Sequence, residues 1–250
     1  MICVKAEQNK CSATGKPAGS HAIMVCHSIG NCSVDKCISS LKGLQFAEVR
    51  LDLLTGKVGE AEVRRIFSSH SNLIATCRPG KLSQSECATL LLEAIADGAA
   101  YVDIEVNAPA LIRKKVVACA KKAGCSVIIS FHDFEKTPLR LKLEELVARC
   151  FRAGAGIAKI ACKANSNEDC AHLLSLLGKK RKLAVVGMGE KGRMVRVMAP
   201  LLGSAISYVS PSGRRGTADG QMTAVELEKA QRMILDEGGA LQSGRRKHKG

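Results

Sequence analysis

"GIAKIACKA", residues 156–164, is an apolar run of strand length with one lysine, Lys159, at its centre. On either side lie longer stretches, "LRLKLEELVARCFRAG" before it and "SNEDCAHLLSLLGKK" after it. Both carry apolar residues at helical three-four spacing. A buried strand between two amphipathic helices is the unit from which a parallel α/β fold is made.

The same alternation runs through the whole chain. Strands are expected at 22–29, 46–54, 72–79, 101–107, 126–134, 156–164, 183–189 and 205–211. Between them "SQSECATLLLEAIADG" has a serine cap and a glycine stop, and "APALIRKKVVACAKKAG" starts near Pro109 and closes on lysines and Gly124. Successive strands are about 25 residues apart, the length of a βα unit. Eight such units without a long interruption predict a closed (β/α)8 TIM barrel, parallel and eight-stranded. No G-x-G-x-x-G follows the first strand, so a dinucleotide fold lacks its main signal. "GMGEKGR" (187–193) is the one glycine-rich turn resembling it. The expected organisation is a polar N-terminal extension (1–20), the barrel (21–237) and a basic tail (238–250).

Composition narrows the class. Hydrophobic residues make up 46% of 250 and aromatics 3%, with no tryptophan, so the core is aliphatic. Lys plus Arg number 38 against 23 acidic residues, for a net charge of +15. That charge suits anionic ligands. The basic residues are scattered and scarcely interleaved with aromatics, which argues against nucleic acid as a partner. Twelve cysteines would suggest disulfides in a small secreted protein. Here the first 20 residues are polar, no run nears the roughly 20 apolar residues of a membrane span, and no C-x-x-C occurs. The expectation is a reduced, cytoplasmic protein without membrane contact.

In a barrel of this kind, catalytic groups stand at the C-terminal strand ends. The second expected strand ends on Glu48, Arg50 and Asp52, at period two and so on one face. The third ends on Arg78, the fourth carries Asp103 and Glu105, and the fifth carries His132 and Asp133. Lys159 and Lys163 lie on the sixth, and Arg196 follows the seventh. Most of these have bland readings as ion-pair layers or barrel caps. Lys159 resists one, because its neighbours Ile157, Ala158, Ile160 and Ala161 offer it no local partner. Desolvation disfavours an ammonium, and a Schiff-base nucleophile needs a fraction of free amine. A histidine on the adjacent strand can then move a proton beside the imine. Lysine, histidine and several arginines in one mouth suggest carbanion chemistry on an anionic ketone.

"EVRLDLL", "TCRP", "YVDIE", "SFHDFEKTP", "AKIACKA" and "VVGMGEKGRMVRVMAPLLGS", in this order, resemble the type I 3-dehydroquinate dehydratase family from about His21 to Glu237. The resemblance implies a TIM barrel that converts the small molecule 3-dehydroquinate to 3-dehydroshikimate, in the shikimate pathway, with no metal or organic cofactor. It leaves room for a homodimer. Carried over by motif, Lys159 forms the imine and His132 is the general acid and base. Glu48 and Arg50 hold substrate hydroxyls, Arg78 helps position the substrate, and Arg196 pairs with its carboxylate. A lid after the eighth strand brings Thr217 and Gln221 to the site.

Two departures stand out. The family's lid reads Ser-x-Pro-Gly-Gln, whereas here it is Thr217-Ala218-Asp219-Gly220-Gln221. Members often carry an acid four residues beyond the arginine, beside the histidine; here that position is Leu82. Either Asp103 or Glu86 is expected to supply a carboxylate to His132, or the enzyme is slow. Two other readings stay open: a Schiff-base aldolase acting on a sugar phosphate, and a catalytically degenerate barrel retained for binding.

Overall fold

The computed structural model describes residues 24–178, 181–211 and 216–240, with side chains described up to residue 235. The expected N-terminal extension lies outside these residues, as does the tail from residue 241. Eight strands form one parallel sheet: β1 (Met24–Ile29), β2 (Ala47–Arg50), β3 (Leu73–Thr76), β4 (Tyr101–Glu105), β5 (Ser126–Asp133), β6 (Ile157–Lys163), β7 (Leu183–Met188) and β8 (Ile206–Val209). Their order is β7-β6-β5-β4-β3-β2-β1-β8, so each pairs with its sequence neighbour and β8 returns to β1. At the remaining seam Ala205 N–H donates to the Leu183 carbonyl at 2.8 Å, and no β7–β8 ladder occurs among the described residues. The chain is a (β/α)8 barrel.

Helices alternate with the strands: α1 (Val34–Leu41), α2 (Glu60–Phe67), α3 (Gln84–Ala96), α4 (Ala110–Lys122), α5 (Arg140–Arg152), α6 (Asn167–Leu174), α7 (Gly189–Leu201) and α8 (Ala224–Ala240). The local sequence says why they start and stop there. Ser83 caps α3 in a reciprocal box with Glu86, and Ser166 caps α6 in the same way with Asp169. Pro109 stands at the N-cap of α4, and Gly124, at φ +71°, ends it. Helix α8 runs past the expected barrel boundary at residue 237.

Two apolar layers result. The larger lies between barrel and helices, where Ile66, Leu91, Leu143 and Leu173 are almost wholly buried against strand residues such as Ile129 and Ile160. The smaller fills the barrel floor with Cys26, Ile74, Ile128, Ile157 and Ile206. Above this floor the inward positions turn polar. Register places Ser28 beside Glu48, Thr76 beside Asp103 and Ser130 beside Lys159. Inward-facing positions of a strand repeat every second residue, so Glu105 and His132 come one layer above Asp103 and Ser130.

Candidate active site

Lys159 stands on the floor of the barrel mouth with 6% of its surface exposed. Its Nζ is 3.0 Å from Asp103 Oδ2, 3.5 Å from Glu48 Oε1 and 4.0 Å above the Tyr208 ring centroid. None of these partners is a chain neighbour, as the sequence implied. The partners come from β4 and β2 across the barrel, where no local sequence window reaches. Burial alone would raise both carboxyls. Arg78 and Lys159 outweigh it at Asp103, and Lys159 and Arg50 outweigh it at Glu48, so each titrates below its ordinary range. Glu48 is held further by Ser28 Oγ–H at 2.5 Å and Thr76 Oγ1–H at 3.0 Å. A cation formed at Lys159 thus sits between two fixed anions.

His132 lies on β5, beside β6, and its Nδ1 is 2.5 Å from Glu105 Oε1. The carboxylate accepts from Nδ1–H, which leaves Nε2 as the basic nitrogen. Burial pushes the imidazole below its ordinary value, against the upward pull of Glu105. The Phe134 ring stacks on it at 5.8 Å between centroids. The carboxylate beside His132 is therefore neither Asp103 nor Glu86. Asp103 is committed to Lys159, Arg78 and Ser130. Glu86 is exposed, and its Oε2 accepts from Ser83 N–H at 2.7 Å at the start of α3. Leu82 packs its side chain against the outer apolar layer.

The three arginines divide the work unevenly. Strand β2 ends at Arg50, and a 3-10 turn over Leu51–Leu53 takes Asp52 off the expected period-two face. Asp52 instead grips Arg50 with two bonds, at 3.1 and 2.7 Å. Arg78 donates to Asp103 Oδ1 at 2.6 Å and to Ser130 Oγ at 2.9 Å, and its Nε is 3.3 Å from Glu105 Oε1. It holds the acids in place more than it faces the cavity. Arg196, on α7, is different. It is 7% exposed; among the described residues it reaches only the backbone carbonyls of Tyr208 and Asp219, each at 3.4 Å, and its Nε has no hydrogen-bond partner. Burial pulls it down to about 10, so it is a cation at neutral pH. A buried guanidinium so weakly satisfied is suited to an anion with two oxygens.

The segment expected as a lid reaches the cavity from the β8 side. Thr217 Oγ1 is 2.7 Å from Ser28 Oγ, and Thr217 N–H donates to Gln221 Oε1 at 2.8 Å. Gly220, at φ +71°, lies so close to Gly189 that an added Cβ would come 2.4 Å from its carbonyl oxygen. Glu48, Arg50, Arg78, His132, Lys159, Arg196, Thr217 and Gln221 all line one cavity of about 130 Å³. Ser28, Thr76 and Tyr208 line it too, and sequence reasoning missed them. The alternation on β1, β3 and β8 was the available signal for these three. Small hydroxyl residues in apolar strands nonetheless read as ordinary core.

The type I 3-dehydroquinase family model matches residues 25–237. The 3-dehydroquinate dehydratase of Methanosarcina acetivorans is 36% identical over 210 residues, covering 77% of this chain and 86% of that protein. That of Methanocaldococcus jannaschii is 33% identical over 223 residues, covering 84% of this chain and 99% of the relative. Among solved structures, the type I 3-dehydroquinate dehydratase of Clostridium difficile superposes with a TM-score of 0.74 at 24% identity, over 86% of this chain and 93% of that one.

Proposed function

The chain belongs to the type I 3-dehydroquinase family, and from that premise we propose that it dehydrates 3-dehydroquinate to 3-dehydroshikimate through an imine on Lys159, with His132 as general base and acid. The observation that carries this reading is the pairing of a buried lysine with a histidine on the neighbouring strand, both lining one cavity.

The chemistry follows from the geometry. The neutral Lys159 amine adds to the substrate ketone, and loss of water gives an imine. Asp103 and Glu48 favour its protonated form, which withdraws electrons from the adjacent carbon. Nε2 of His132 takes a proton from that carbon, and the electron pair moves into an enamine. The enamine then expels the hydroxyl on the next carbon, and the imidazolium supplies the proton that makes it leave as water. Hydrolysis of the imine returns the amine and the conjugated ketone. Over the cycle one water is lost and the protein is unchanged. Glu48 and Arg50 would orient substrate hydroxyls, Arg78 would hold the acids behind them, and Arg196 would take the substrate carboxylate as Thr217 and Gln221 cover it.

Two alternatives are less favoured. The degenerate-barrel reading leaned on Leu82 and the altered lid; Glu105 supplies the acid that Leu82 does not, and the lid with Asp219 remains its support. The sugar-phosphate aldolase reading asked for phosphate-binding glycine turns after the seventh and eighth strands: in "GMGEKG" Gly187 and Gly192 press against each other, and "SPSGRRG" lies partly outside the described residues.

The test is borohydride reduction in the presence of 3-dehydroquinate or the product. A stable adduct mapped by mass to Lys159 is expected. A label on Lys163, or none, would remove the imine assignment. Absorbance of the conjugated enone gives the reaction, with Lys159→Ala as the control.

A further inference from the structure

Behind the β3–β4 wall lies a second cavity, of about 100 Å³. Arg78 lines both this cavity and the candidate active site. Cys77, at the end of β3, and Cys87, in the first turns of α3, line it together. Each is nearly buried, at 4% and 3% exposure, and the exposed residues Gln84 and Asn107 line the same cavity. The ten cysteines among the described residues are unbridged. The Cys77 and Cys87 sulfurs lie within side-chain hydrogen-bonding reach of each other, and neither takes part in the proposed mechanism.

We infer that Cys77 and Cys87 form a reversible disulfide site whose closure disables the neighbouring active site. The inference rests on the dehydratase reading only for its effect on turnover. The bond to Cys87, and then burial, push the Cys77 thiol up. The step balances equally with the two sulfurs exchanged; here Cys87 is the attacking sulfur. Its thiolate displaces one thiolate from a low-molecular-weight disulfide and forms a mixed disulfide. Cys77 then gives up its proton, attacks the Cys87 sulfur and releases the second thiol. Two cysteine thiols have lost two protons and two electrons, and one small disulfide has become two thiols.

Closure brings the sulfurs to about 2.05 Å, nearer than any hydrogen-bonded approach. Any displacement of Cys77 passes to the next residue, Arg78, which grips Asp103, Ser130 and Glu105. Asp103 in turn holds Lys159, and Glu105 holds His132. A shift of Arg78 therefore reaches both reacting side chains.

The experiment incubates the whole protein with oxidised glutathione, followed by alkylation, non-reducing tryptic mass mapping and enone assay. Trypsin cuts at Lys81, between the two cysteines, so their bond joins two peptides. The expected result is a Cys77–Cys87 crosslink with a fall in kcat/KM of about 10-fold or more, as small misplacements of reacting groups give. Dithiothreitol should reverse both. Cys87→Ser, or Cys87→Ala if the serine destabilises the fold, should keep its activity in oxidised glutathione. The inference is overturned if half-buried Cys119 is modified while no crosslink forms, if the crosslink leaves turnover unchanged, or if the Cys87 variants are inactivated equally. A reduced protein without activity would refute the dehydratase reading instead, since the crosslink map does not depend on turnover.

Discussion

Oε1 of Glu105 lies 2.5 Å from His132 Nδ1 and 3.3 Å from Arg78 Nε, so one carboxylate oxygen carries both an imidazole and a guanidinium. Burial would raise this carboxyl, but Arg78 and then His132 hold it below its usual range. It stays an anion wherever the site works. As an anion it can only accept, which fixes the proton of His132 on Nδ1 and leaves Nε2 as the base.

Glu105→Gln tests that role. The amide can also donate, so the tautomer is no longer imposed, and kcat should fall by about 10- to 100-fold. The pH profile gives the second readout. Glu105 raises the histidine and burial lowers it further, so His132 already titrates below its ordinary value. Removing the anion disfavours the imidazolium, and the acid limb of kcat/KM should move to lower pH. A slower enzyme with an unmoved acid limb would mean that Glu105 is only structural.

Leu82→Glu separates this arrangement from the family's usual one. With Glu105 in place there is no missing acid to restore. The substitution instead puts a carboxylate into an apolar contact with the outer layer. Turnover should not rise, and stability should fall by about 1–3 kcal/mol. Faster turnover with a raised acid limb would show that His132 lacks an effective partner.

How much of this was visible in the chain follows from the range of each interaction. The eight βα units could be read because strand and helix patterns are local, and caps such as Ser83 and Pro109 are encoded within four residues. Lys159 stood out for the same reason, as a charge inside "GIAKIACKA". Its partners Asp103 and Glu48 are 56 and 111 positions earlier in the chain, and only barrel closure brings them to it. Asp52 was misplaced because a 3-10 turn of three residues breaks the period-two pattern immediately after Arg50. Glu105 was read as a barrel cap because its role depends on β4–β5 register, which a strand pattern does not specify.

Arg196→Lys asks what the weakly satisfied guanidinium is for. Lysine keeps the charge but loses the planar fork that can grip both oxygens of a carboxylate. KM should rise by about 10- to 150-fold, equivalent to about 1.5–3 kcal/mol, with a smaller change in kcat. Unaltered KM would assign the substrate carboxylate to another cation, with Arg50 the first to examine.

The last prediction concerns the glycine-rich turn that resembles a nucleotide loop. A Cβ on Gly187 would meet Gly192 O at 2.5 Å, Gly192 Cα at 2.8 Å and Val195 Cβ at 2.8 Å. Two of these atoms are backbone, so the clash is relieved only by moving α7 away from β7. The glycines are therefore a helix-on-strand contact, and α7 carries Arg196 one turn beyond Gly192. Gly187→Ala should cost about 1–3 kcal/mol and lower Tm by about 3–10 °C. It should also raise KM, because the displaced helix takes the guanidinium with it. Gly80→Ala is the control: its Cβ would meet nothing within 4 Å, and its φ is not in the left-handed region. Equal Tm for the two variants would show that β7 and α7 can separate without loss. The close approach of Gly187 and Gly192 would then not be what sets the position of Arg196.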